Sequence, residues 1–134
     1  SLKIAALSGK KIKLLVPKTY DSKIIELTTQ SFFDALLDAG VEIFQYKKGF
    51  VHAKTIVYDR EVSVVGTANL DNRSFDLNFE VNATVYDADF SQKLAKEFEK
   101  DLQDSEKIDP KTWKNRPFHR KLLGKILNLF APLM

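Results

Sequence analysis

The feature that most narrows the fold is the order of short apolar runs along the chain. Residues 11–17 (KIKLLVP) form a brief β-favouring run stopped by a proline, which reads as a buried strand. Residues 41–46 (VEIFQY) alternate apolar and polar side chains, the mark of a half-buried strand. Further strands are expected over 51–59, over 62–66 after a turn at 59–61, and over 81–86. Between the first two strands, Asp21 or Ser22 can cap a helix with Ile25, Phe32 and Leu36 on its apolar face. Gly40 is placed to end it. From 89 to about 104, Phe90, Leu94, Phe98 and Leu102 recur every four positions, one stripe of a surface helix. Leu122, Leu123, Ile126, Leu127 and Phe130 line a last short helix. Strand, helix, several strands, helix, helix implies an α/β or α+β class, with a mixed β-sheet flanked by helices.

The chain has 134 residues, which suits one domain covering 1–134. It lacks cysteine, so disulfides and thiolate chemistry are excluded. No apolar run approaches the ~18 residues a spanning helix needs. The formal net charge of +3 is a mild lean toward anionic partners. That lean is concentrated after Asp109, where no acidic residue follows and Lys111, Lys114, Arg116, Arg120, Lys121 and Lys125 do. The basic end is expected to dock on its own domain, the alternative being a membrane surface. The chain begins Ser1-Leu2 rather than with methionine, and a piece of a longer protein is expected.

The chemistry concentrates between residues 52 and 82. His52 and Lys54 lie two apart on an expected strand, so both side chains should share a face and suit an anion. Gly66-Thr67-Ala68-Asn69 follows the next strand. There Gly66 would allow a tight turn, and Thr67 and Asn69 could offer donors to the same point. Glu80 supplies a carboxylate that could fix the tautomer of His52. Ser74 has no histidine in a plausible activating relation and is set aside as a nucleophile. Two histidines without cysteine make a zinc site improbable, and Trp113 reads as a core anchor.

His52, Lys54 and Asp59 fit H-x-K-x-x-x-x-D, the signature of the phospholipase D superfamily. Residues 66–82 (GTANLDNRSFDLNFEVN) resemble the cardiolipin synthase branch, as do Gly40-Val41, Gly49-Phe50-Val51 and the closing Ala131-Pro132-Leu133-Met134. The resemblance covers most of the chain and implies a phospholipase D-like domain. It implies a catalytic site of His52, Lys54, Asp59, Asn69 and Glu80. His52 would attack phosphorus or protonate a leaving group, by way of a phosphohistidine. Lys54, Thr67 and Asn69 would bind phosphate oxygens. Glu80 would orient His52, and Asp59 would serve structure. No metal or other cofactor is implied. The implied reaction joins two phosphatidylglycerols into cardiolipin, and anionic phospholipid is the implied partner rather than nucleic acid.

One departure from the family pattern is plain. The family uses two such motifs, whereas His119 sits in Pro117-Phe118-His119-Arg120, which does not match. The second histidine would come from an N-terminal half, or from a second copy in a homodimer acting as a phosphodiesterase or nuclease. Full-length members imply the bacterial cell membrane, with the catalytic domain on the cytoplasmic side and this piece soluble.

Overall fold

The computed structural model describes residues 1–70, 74 and 77–117. The helix expected over 122–130 lies outside them, as do Arg73 and Phe75, which with Ser74 fit the family pattern and read from sequence as packing, turn or substrate residues. The fold is α+β, and the chain divides into two compact units, Ser1–Val51 with the segment from Asp104 onward, and His52–Gln103. Among the described residues the strands form two three-stranded sheets, one in each unit.

In the first unit, α1 (Leu2–Leu7) precedes β1 (Lys13–Pro17). Helices α2 (Lys23–Ser31) and α3 (Phe33–Asp38) then cross over to β2 (Glu42–Tyr46), which lies parallel to β1. The single helix expected here is interrupted at Phe32, whose N–H bonds the Thr29 carbonyl three residues back. Ser31 Oγ also donates to the Thr28 carbonyl at 2.6 Å. Hydroxyls that compete for backbone carbonyls in this way loosen the i−4 ladder. Gly40 takes φ +91°, the left-handed conformation that closes α3.

Val16, Phe33, Leu37, Val41, Ile43 and Ile108 form the core of this unit. Trp113, in α5 (Pro110–Lys114), packs against that core with its ring 5.4 Å from Phe33. The indole N–H donates to Asp34 Oδ1 at 3.0 Å, and Arg116 pairs with Asp34 Oδ2 at 2.8 Å. Asp109 caps α5 by accepting the Thr112 N–H at 2.9 Å, with Pro110 at the first helical position.

Strand β6 (Ser105–Lys107) has no apolar residue, and periodicity gives no hint of it. It forms because β2 offers an open edge, which it joins antiparallel with Phe44 opposite Lys107. Ion pairs from Lys18 to Glu106 and from Lys107 to Glu42 flank the pairing. Exposed pairs of this kind contribute little, so the ladder itself carries the strand.

The second unit is an antiparallel meander, β3 (Lys54–Tyr58), β4 (Val62–Gly66) and β5 (Asn82–Tyr86), covered by α4 (Ala88–Gln103). Asp59 and Arg60 both take positive φ, 48° and 60°, and the Glu61 N–H closes the turn on the Tyr58 carbonyl. Aspartate tolerates that conformation better than most side chains. Leu94, Phe98 and Leu102 are half-buried along α4, while Phe90 at its start is exposed. At the centre of this packing, Ser63 of β4 and Ser91 of α4 are both fully buried, with their hydroxyls 2.7 Å apart. Each hydroxyl satisfies the other where neither can reach water.

Candidate functional site

The candidate site lies at one end of the second unit's sheet. The register places Lys54 opposite Gly66, and Gly66 opposite Asn82, in one row across β3, β4 and β5. A Cβ added to Gly66 would stand 1.9 Å from Asn82 Oδ1 and 2.5 Å from the Val81 carbonyl oxygen. Glycine is therefore required by crowding from β5. Gly66 is the last residue of β4 and is not among the glycines with positive φ, so the expected turn-forming role gives way to this close approach.

His52 lies in the segment leading into β3 rather than on the strand, which starts at Lys54. The alternation argument therefore does not govern His52. Instead Lys54 Nζ turns back and donates to the His52 carbonyl at 2.8 Å. The two residues still meet at one opening, a cleft of about 220 Å³ lined by His52, Lys54, Gly66 and Thr67. A larger cleft, about 320 Å³, lies in the first unit beside Trp113 and Arg116. Its lining mixes Glu106 and Asp109 with Lys107 and Arg116 and holds no histidine.

Thr67 is tied down on three sides. Its N–H donates to the Val81 carbonyl at 3.0 Å, and its hydroxyl accepts the Val81 N–H at 3.0 Å. The hydroxyl also donates to Glu80 Oε2 at 2.5 Å. A threonine hydroxyl has one proton, and here Glu80 takes it. Thr67 thus borders the cleft as a clamp between β4 and the approach to β5, with its proton already committed. Glu80 also meets Asn78 Nδ2 at 3.4 Å and the Ser74 hydroxyl. The hydrogen bond from Thr67 chiefly, followed by that from Ser74, holds the Glu80 carboxyl below its usual value of 4.5, with Lys54 adding a smaller attraction.

Asn69 sits two residues beyond Thr67, with its backbone N–H on Ser74 Oγ at 3.1 Å. Asp59 stands apart from this group, in the turn at the far end of β3. At about 3.3 Å per residue it lies more than ~13 Å along the strand from Lys54. Of the sequence-derived residues, the fold gathers His52, Lys54 and Thr67 around one cleft and links Glu80 through Thr67. It leaves Asp59 outside. Ser74, which fits the family pattern and reads from sequence as a packing, turn or substrate residue, is 6% exposed and joined to both Asn69 and Glu80. Sequence alone gave no sign of those two partners.

Residues 1–102 match the family described as cardiolipin synthase, phospholipase D-like domain. The chain belongs to this family. It is 45% identical over its whole length to the cardiolipin synthase of Geobacillus sp. (strain WCH70) and 46% identical to that of Geobacillus thermodenitrificans. It is 42% identical to cardiolipin synthase 2 of Bacillus anthracis. In each case all of this chain aligns, while the match covers 27%, 27% and 26% of the relative. The chain thus spans about a quarter of the length of these relatives. Among the described residues no helix is long and apolar enough to cross a membrane.

Proposed function

We propose that this chain supplies one of the two catalytic motifs of a phosphatidyltransferase that makes cardiolipin and glycerol from two phosphatidylglycerols. The observation that carries the reading is that His52 and Lys54 line one cleft at the start of β3. The names of the relatives support it.

In this reading His52 and a second histidine divide the chemistry. One imidazole nitrogen attacks phosphorus, and the phosphorus–oxygen bond to the departing glycerol breaks. The other imidazole donates the proton that glycerol needs to leave. The hydroxyl of a second phosphatidylglycerol then gives its proton back to that base and attacks the phosphohistidine, which releases the first imidazole. Charge builds on the non-bridging oxygens at both steps. Lys54 and the Asn69 side-chain amide act there as fixed donors, which lowers the barrier more than the same groups would in water. Glu80 acts on His52 and on the loop that carries Asn69. Leu70, Leu77, Phe79 and Val81 are all more than half exposed on the segment that carries Thr67 and Glu80. Bare apolar side chains beside a phosphate site suit a diester that carries acyl chains.

The second histidine belongs to a second motif in a longer polypeptide, in keeping with the quarter of its relatives that this chain spans. The test measures glycerol release and cardiolipin formation on phosphatidylglycerol vesicles by a polypeptide carrying this chain after its N-terminal half. His52→Ala should abolish both, and cardiolipin formation that survives the substitution would refute the assignment. The isolated chain, assayed in parallel on a chromogenic phosphodiester, should be inactive at every concentration. Activity rising faster than linearly with protein would instead point to a self-dimerising phosphodiesterase.

A further inference from the structure

Ser74 takes no part in the chemistry proposed above, yet among the described residues it is one of three buried polar side chains, with Ser63 and Ser91. Its hydroxyl has one proton and two lone pairs. It accepts the Asn69 N–H at 3.1 Å and hydrogen-bonds to Glu80, a carboxylate that can only accept. The Ser74 proton therefore goes to Glu80, and a Ser74 lone pair receives Asn69. The chain from Glu80 through Ser74 to Asn69 is polarised in one direction, carboxylate to hydroxyl to amide.

We infer that Ser74 is a positioning residue that transmits the location of Glu80 to the backbone of Asn69, and so sets the Asn69 side-chain amide against the phosphate. The geometry gives Glu80 two hydroxyl partners with separate tasks. Thr67 joins it to the end of β4 and to Val81, on the cleft side. Ser74 joins it to Asn69, which otherwise projects from an exposed loop. Without Ser74 the Asn69 amide loses its fixed approach, because the part-buried Asn69 N–H contact is what ties it to Glu80. The lowered Glu80 carboxyl supports this arrangement, since both hydroxyls stabilise its charged form. The inference rests on the phosphate-site reading above, so the experiment separates the two.

Ser74→Ala and Ser74→Thr are compared with the unaltered chain by NMR, with inorganic phosphate as the probe. In the unaltered chain the Asn69 N–H should exchange slowly. In Ser74→Ala it should exchange about tenfold faster, the loss expected of one hydrogen bond of ordinary strength. Phosphate affinity should fall by a similar factor, and Glu80 should titrate at higher pH. Ser74→Thr keeps the hydroxyl and should restore all three. A hydroxyl that merely filled space would leave the Glu80 titration and the phosphate affinity in place. Unchanged Asn69 exchange in Ser74→Ala, in a protein that stays folded, would overturn the inference. So would faster exchange with phosphate affinity intact. An unaltered chain that binds no phosphate at His52, Lys54 and Asn69 would overturn the phosphate-site reading, and the exchange of Asn69 would still decide the Ser74 link.

Discussion

Gly66→Ala is the most informative single perturbation of the site. The added methyl would stand 2.5 Å from the Val81 carbonyl oxygen, where ordinary contact begins at 3.4 Å. The backbone just before β5 would have to withdraw by about 0.9 Å, the difference between those two distances. The Asn82 side chain can rotate away from its own 1.9 Å overlap, but the carbonyl is backbone. That carbonyl accepts the Thr67 N–H, and the N–H of the same residue, Val81, donates to the Thr67 hydroxyl. Withdrawal therefore strains two hydrogen bonds as well as the packing. Overpacking costs roughly 1–3 kcal/mol, and each hydrogen bond adds about 1 kcal/mol when lost. The expected destabilisation, with both hydrogen bonds lost, is about 3–5 kcal/mol. Urea unfolding followed by circular dichroism measures it, with Asn82→Ala and the double variant alongside. The double variant should recover only part of the loss, because the backbone overlap remains. Gly66→Ala within about 0.5 kcal/mol of the unaltered chain, the range of a bland surface change, would refute the close-approach argument. Full recovery in the double variant would show that the side chain alone carried the clash.

Two other predictions concern the same unit. Ser63→Ala or Ser91→Ala alone strands a buried hydroxyl and should cost about 1–3 kcal/mol. The double substitution removes both partners and should cost no more than either single one, so strict additivity in a double-mutant cycle would show that the 2.7 Å pair is not coupled. Glu80 titrates below its usual 4.5, so its contribution to the folded state is complete above that value and is lost as pH falls through the depressed one. Thr67→Val removes the largest cause of the depression and should move the Glu80 carbon-detected titration up toward 4.5, and an unmoved titration would show that Thr67 does not hold the carboxylate.

Much of this protein is legible without coordinates. Local sequence sets β1, β2, β4 and α4, because each carries its own periodic apolar side and its own stop or cap. The spacing of His52, Lys54, Asn69 and Glu80 marks the candidate site. Tertiary structure decides what periodicity cannot carry. Strand β6 is polar and exists because β2 has a free edge. Gly66 is glycine because Val81 and Asn82, fifteen and sixteen positions away, leave no room for a methyl. Thr67 spends its proton on Glu80, and Ser74 reaches Asn69 and Glu80 together, because a hydroxyl is assigned by whichever partners the fold brings to it. Residue types state what a side chain is able to donate or accept, and only the folded chain determines where that single proton goes.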